Sequence, residues 1–421
     1  MSSSARRKSF LSAYVRAIEP SATVAMHAAT QELKAQGEQI TSLCVGEPDY
    51  DPPAQVLAAT IAAVQAVPAQ THYTGVTGRV DLREAIVADA ARRTGVAYEA
   101  GNVVLANGAK QLLFQACLAL LGPGDRCVVP TPYWPSHLAI VGMCGAEATL
   151  LPSSAEEGYA LSPAKLRAVL AADAAIKLLI LCNPSNPTGV VQPRSTLVEV
   201  ATILDEHEAA TGKKVWVIAD EIYERLLYDG AELAHFGSIS PSAYARTVHI
   251  NGFSKSHAMT GYRLGYSCCP STADGATLSK AIATIQGQVT SCPGSISQAA
   301  ALAALAVPDD DDFWTTNVVE GLGRKRARCL ERLGELEGEG LVTVGAVPCG
   351  AFYVLPVLKL GGDCATSLAF CVALLEREKV ALVPGEAFGA PGTCRISYAA
   401  SIGEVEAAIA GLGRLLRALH Q

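Results

Sequence analysis

Val215-Trp216-Val217-Ile218-Ala219-Asp220-Glu221-Ile222-Tyr223 contains an unbroken apolar run that stops on an acid. A strand buried on one face reads as apolar–polar alternation. A short run that is apolar at every position predicts burial on both faces, the arrangement of a mostly parallel sheet covered by helices. The same pattern recurs along the chain. Val103-Val104-Leu105-Ala106 leads into Asn107-Gly108-Ala109-Lys110, and Cys127-Val128-Val129 into Pro130-Thr131-Pro132-Tyr133-Trp134. Leu178-Leu179-Ile180-Leu181 leads into Asn183-Pro184-Ser185-Asn186-Pro187-Thr188-Gly189, and Val248-His249-Ile250 into Asn251-Gly252-Phe253-Ser254-Lys255. Helical stretches lie between them, at Lys110 to Leu121 and Ser195 to Ala210. Ligands of open α/β sheets bind beyond the carboxyl ends of the strands, so these five motifs are expected around one crevice.

The texture changes after Pro308. The acidic run Asp309 to Asp312 precedes an Arg-rich helical segment, Val318 to Leu336. Short strand-like runs follow at Leu341 to Val344 and Ala351 to Leu355, and an amphipathic helix from Ile402 to Leu419. This part reads as a smaller α+β unit.

Composition narrows the function classes. The 421 residues are 50% hydrophobic and 17% charged, with a formal net charge of −7, and the mean hydropathy is +0.26. The only basic blocks are Arg6-Arg7-Lys8 and Arg324-Lys325-Arg326, so nucleic acid is not an expected partner. Apolar stretches such as Leu112 to Leu121 fall short of the roughly 20 residues of a membrane span. The 13 dispersed cysteines include no Cys-x-x-Cys, which predicts reduced thiols and no metal site. Nor does a Gly-x-Gly-x-x-Gly join a strand to a helix, as a nicotinamide cofactor would require. The Ser-rich, basic start, Met1 to Ser9, reads as a tail and the protein as cytoplasmic; a transit remnant would instead place it in a plastid or mitochondrion.

Three residue settings carry chemistry. Gly108-Ala109 opens a helix, and the free N–H groups of a helix start suit phosphate. Asp220 follows an apolar strand, where a carboxylate needs a cationic partner. The protonated ring nitrogen of pyridoxal phosphate (PLP) is one, and Tyr223 lies within reach of the same ligand. A free lysine titrates near ~10.4, so a Schiff-base lysine must be desolvated or flanked by positive charge. Lys255 has Arg263 eight residues on, a planar cation suited to phosphate.

Gly252 to Gly265 matches the PLP-lysine signature of class I aminotransferases. The chain also carries Gly46-Glu47-Pro48-Asp49, His72-Tyr73-Thr74-Gly75, Asp81-Leu82-Arg83, Gly350-Ala351-Phe352-Tyr353 and Arg395-Ile396-Ser397-Tyr398-Ala399. Together with Asn183 to Gly189, these resemble the aspartate aminotransferase branch of bacteria and plant plastids, which includes aspartate/prephenate aminotransferases. The resemblance runs from Leu11 to the C-terminus. It implies the PLP-dependent transferase fold type I: a large mostly parallel α/β domain with helices on both faces (51–307), a smaller α+β domain (308–421), and residues 1–50 as an arm and part of the smaller domain. It implies pyridoxal 5'-phosphate on Lys255, which shuttles the substrate proton, with Asp220 at the ring nitrogen and Tyr223 and Asn186 at the phenolic oxygen. Trp134 is expected to stack on the ring, with Tyr133 as packing. Gly108, Ala109, Lys110, Ser254 and Arg263 are expected around the phosphate, joined by Tyr73 from the second subunit of a homodimer. Arg395 is expected to take the α-carboxylate, with Gly46 closing over it.

Relatives that accept prephenate tend to carry Lys before the Pro-Ser pair at 20–21, where this chain has Glu19. Ser21, Thr23 and Lys110 match positions that handle a distal carboxylate in the aspartate-using branch. The expected reaction is therefore amino transfer from aspartate to 2-oxoglutarate by a ping-pong route. The alternatives are another donor or acceptor (prephenate, aromatic, alanine), a PLP-dependent Cβ–S lyase and, more remotely, a non-catalytic PLP-binding regulator.

Overall fold

The computed structural model describes Val15, Ile18 and residues 22–67 and 70–420. Glu19, Ser21 and the side chain of Thr23 lie outside the described set. A short strand, β1 (Thr41–Ser42), pairs in parallel with Val380–Ala381. Seven further strands form the central sheet: β2 (Val103–Ala106), β3 (Arg126–Pro130), β4 (Glu147–Leu151), β5 (Ile176–Cys182), β6 (Trp216–Asp220), β7 (Thr247–Gly252) and β8 (Gly265–Cys268). Their spatial order is β2-β8-β7-β6-β5-β3-β4. The run from β4 through β3, β5 and β6 to β7 is parallel, and β8 is antiparallel to both its neighbours.

The apolar runs are buried on both faces. Leu178, Ile180, Ile218 and Ile250 pack under the helices Ala109–Leu120 and Ala273–Val289. Leu179, Leu181, Val217 and Ala219 pack on the other side against Pro163–Ala172 and Arg194–Thr211. The latter helix ends on Gly212 at φ 68°, a left-handed C-cap that suits glycine.

Two strands were not among the five expected runs. Edge strand β4 is mostly exposed, and β8, Gly-Tyr-Ser-Cys, has no apolar run although every residue in it is buried. The expected C-terminal helix is Ile402–Ala418, held at its start by a capping box between Ser401 and Glu404. It packs in one core with Met26, Leu43, Cys44, Phe352, Phe370 and Ile396, so residues from both ends of the chain share that core. All thirteen cysteines are free and most are buried. No helix among the described residues is long and apolar enough to cross a membrane.

Candidate active site

Strands β2, β3, β5, β6 and β7 end on one edge of the sheet, and antiparallel β8 starts there, its Gly265 level with Ala106 and Gly252. The polar residues that follow the apolar runs are thereby collected around a cavity of about 310 Å³. Ala109, Lys110, Trp134, Asn186, Asp220, Tyr223, Ser254, Lys255, Arg263 and Gly46 line it, with Glu47, Leu113, Cys182 and Thr260.

Asp220 ends β6 between β5 and β7, and is 3% exposed. Its Oδ2 lies 3.1 Å from His137 Nε2, while Oδ1 has no partner. An unpartnered carboxylate oxygen buried this deeply is costly unless a donor can enter the cavity. His137 stands one helical turn beyond Trp134, on the helix Pro135–Met143.

Tyr223 is buried, which holds its phenol well above its ordinary value, so the hydroxyl keeps its proton. The hydroxyl accepts from Asn186 Nδ2 (3.4 Å) and lies 3.0 Å from the hydroxyl of Tyr353. Asn186 Oδ1 in turn accepts from Arg395 Nη1 at 3.1 Å. Arg395 is 2% exposed and stacks over Tyr353 (4.5 Å) and Phe388 (5.1 Å). Its Nη2 donates to Cys44 O at 2.6 Å, and its Nε is unpartnered.

Lys255 follows β7 in a tight turn, and its Nζ donates to the carbonyl of Gly46. Burial pulls its pKa down to about 8, helped by the charges of Arg395, Arg263 and Lys110 and opposed by Glu47. Gly46 has no room for a side chain, since a Cβ would meet the Tyr353 hydroxyl.

The opposite end of the cavity is cationic. Arg263 takes the left-handed conformation (φ 50°) just before β8 and donates to Thr260 O at 2.9 Å. Gly108, at φ 96°, caps the helix Ala109–Leu120, and a Cβ there would lie 2.7 Å from Arg263 Nη2. Lys110 Nζ sits 4.6 Å over the Trp134 ring, and its pKa is lowered by burial and by Arg263. A helix start between two cations is a ready anion site.

Of the expected site residues, Gly108, Arg395 and Tyr73 do not line the cavity. Gly108 and Arg395 stand behind it, touching Arg263 and Asn186; Tyr73 is 89% exposed on the surface. Tyr133 packs as expected, its N–H bonded to Phe388 O (3.0 Å) and its ring against Gly389. His137, Glu47, Thr260 and Tyr353 were not assigned from sequence. The i+3 spacing from Trp134 could have revealed His137. The hydrogen bond from Thr260 to Glu47 joins residues 213 apart and leaves no local trace.

The sequence profile described as aminotransferase class I and II matches residues 38–412. The bifunctional aspartate aminotransferase and glutamate/aspartate-prephenate aminotransferase of Petunia hybrida is 37% identical over 96% of this chain and 82% of its own length. The aspartate/prephenate aminotransferase of Cereibacter sphaeroides is also 37% identical, over 93% of this chain and 94% of its own. Among solved structures, the aspartate aminotransferase of Thermus thermophilus with maleate superposes with a TM-score of 0.87 at 34% identity, covering 96% of this chain and 99% of that one.

Proposed function

The chain belongs to the aminotransferase class I and II family, and we propose that its cofactor is pyridoxal 5'-phosphate, its donor aspartate and its acceptor 2-oxoglutarate. The observation that carries this reading is the buried, unpartnered Oδ1 of Asp220, a residue that lines the same cavity as Lys255. The cavity fits the cofactor: a cationic helix start for its phosphate, an unpartnered carboxylate oxygen for its ring nitrogen, two phenol-side donors, and a lysine whose pKa burial lowers.

When bound, pyridoxal phosphate supplies an electron sink for charge at the substrate Cα. Lys255 would hold it covalently through Nζ and, once released, move a proton from Cα with the same atom. A pKa lowered to about 8 leaves roughly a tenth of that amine neutral near pH 7, far more than an ordinary lysine would offer as a general base. Asp220 would keep the proton on the ring nitrogen, and His137, on the other carboxylate oxygen, would orient it. Tyr223 and Asn186 would donate to the phenolic oxygen, and Trp134 would stack on the ring. Ser254, Arg263, Lys110 and the N–H of Ala109 would hold the phosphate, with Gly108 behind them, its own N–H bonded to Ala106 O (2.7 Å), and Tyr73 of a second copy. Arg395 would hold the α-carboxylate, beside Gly46.

Lys255 sets a pH dependence. Its pKa is depressed from 10.5 to about 8, so the neutral, nucleophilic form dominates above about 8. The rate at which cofactor-free protein fixes pyridoxal phosphate, trapped with borohydride, should rise with pH and level off above that point. A profile centred near 10.5 instead would mean that Lys255 is solvated.

Arg395→Ala should raise KM for amino acid and oxo acid alike while the cofactor stays bound. Loss of a buried charge-assisted pair costs about 2–4 kcal/mol, on the order of 30- to 1000-fold in KM. Loss of the cofactor instead would remove Arg395 from the substrate role.

An amino-donor panel against 2-oxoglutarate tests the substrate reading: oxaloacetate and glutamate from aspartate support it. Pyruvate and ammonia from cysteine conjugates would replace it with β-elimination. Prephenate is the second reading, favoured by the names of the Petunia and Cereibacter relatives. Glu19 stands where prephenate-accepting relatives tend to carry Lys, a reversal of charge at a position outside the described residues.

A further inference from the structure

Glu221, the residue after Asp220, does not line the cofactor cavity. Its carboxylate Oε2 meets His235 Nδ1 at 2.5 Å and lies 3.3 Å from His249 Nε2. Glu224 brings its Oε2 to 3.8 Å from His235 Nδ1 and 3.9 Å from His249 Nε2. The four ligand atoms lie within 4.8 Å of one another. Glu221, Glu224 and His249 are 2%, 6% and 3% exposed, and the His235 side chain 11%.

Two of these atoms are unsatisfied: Glu224 Oε2 and His249 Nε2 have no hydrogen-bond partner. His249 is held by its neighbours, stacked 6.3 Å from Tyr98 and edge-on to Tyr266 at 6.0 Å. A void of about 10 Å³ opens beside Glu221, His235 and His249. Thr94 and Gly237 line both this void and a wider surface depression, which supplies a way in.

We propose that Glu221, Glu224, His235 and His249 bind one divalent transition-metal ion of the zinc class. Ligand atoms about 2.0–2.2 Å from a tetrahedral zinc stand roughly 3.3–3.5 Å apart. The four His–Glu separations, 2.5, 3.3, 3.8 and 3.9 Å, straddle that value, and all six pairwise separations lie within 4.8 Å, so side-chain shifts of about 1 Å complete the shell. Two imidazoles with two carboxylates suit zinc, whereas calcium and magnesium take oxygen shells. Arg93 is the charge that opposes a cation. It binds Glu224 through Oε1, which leaves Oε2 free, and it is shared with Asp89. Arg225 is paired with Asp89 and Asp309. The absence of Cys-x-x-Cys, from which no metal site was expected, does not bear on this set, whose ligands come from the end of β6, a loop and β7. A bound ion would tie the turn that follows Asp220 and carries Tyr223 to the strand that leads into Lys255.

The test uses the full chain with its cofactor, stripped by a chelator and dialysed. Titration with Zn²⁺ against a chromophoric chelator should give one tight site per chain. Co²⁺ should give the intense visible bands of a tetrahedral site without thiolate charge transfer, and Zn²⁺ should raise Tm. His249→Val and Glu221→Gln should each weaken Zn²⁺ binding by on the order of 100-fold or more and abolish the cobalt bands. His249→Val decides alone if the other variant does not fold, because an apolar β-branched residue suits that strand position. A chain that retains no stoichiometric ion overturns the proposal. So does an unchanged affinity in His249→Val, or a cobalt spectrum with thiolate bands, which would assign the metal to cysteines.

Discussion

Lys255→Ala is expected to lose amino transfer by on the order of 10⁴-fold or more and to lose every borohydride-stable link to pyridoxal phosphate. The amine is the one nucleophile whose burial drops its pKa to about 8 inside the cavity. No neighbour can substitute for it. Lys110 sits over Trp134 at the phosphate end, and Arg263 offers a guanidinium rather than an amine. Peptide mapping after reduction is the direct measurement. A cofactor-labelled peptide from the variant would sink the assignment, whatever the residual rate. Cofactor should still associate non-covalently, because the phosphate cup does not depend on Lys255.

The second large effect is expected at Asp220. Asp220→Asn keeps the shape and can keep the contact to His137 (3.1 Å), but removes the negative charge from a site 3% exposed. Breaking a buried charge pair by deleting one partner costs about 3–5 kcal/mol, which is on the order of 10²–10⁴ in rate if the pair matters in the transition state. The loss should appear in kcat and kcat/KM together at saturating cofactor, the pattern of an interaction made in the transition state. Asp220→Glu, which restores the charge with a longer arm, should recover part of it. Activity of Asp220→Asn within tenfold of the parent would mean that Oδ1 does not meet the ring nitrogen.

Fold and site were readable from sequence to different depths. The inner strands announce themselves because burial on both faces demands apolar residues throughout, as in Leu178 to Leu181. β4 escapes that logic at the sheet edge, and β8 escapes it because two of its four buried residues are Gly265 and Ser267, the former packed against the backbone of Gly108, Ala109 and Asn251. In the site, the residues at or just after strand ends (Ala109, Asp220, Lys255) are legible because the fold class puts strand ends together. Partnerships are not. That Arg395 lies against Asn186, Tyr353 and the Cys44 carbonyl depends on the packing of segments more than 150 residues apart in places. The pairing of His137 with Asp220 likewise needs the helix after β3 to lie beside β6.

The hairpin that carries Lys255 and Arg263 starts and ends on paired glycines, Gly252 and Gly265. A Cβ at Gly252 would lie 2.9 Å from the Leu264 carbonyl oxygen, and one at Gly265 would run into the Ala109 amide at the phosphate end. Neither clash can be relieved by turning a side chain, because the obstacles are backbone. The consequence concerns mutational tolerance. In a saturation library, two positions with no functional group should be as intolerant as the ones that do chemistry. A search for active-site residues guided by reactive side chains would pass over both.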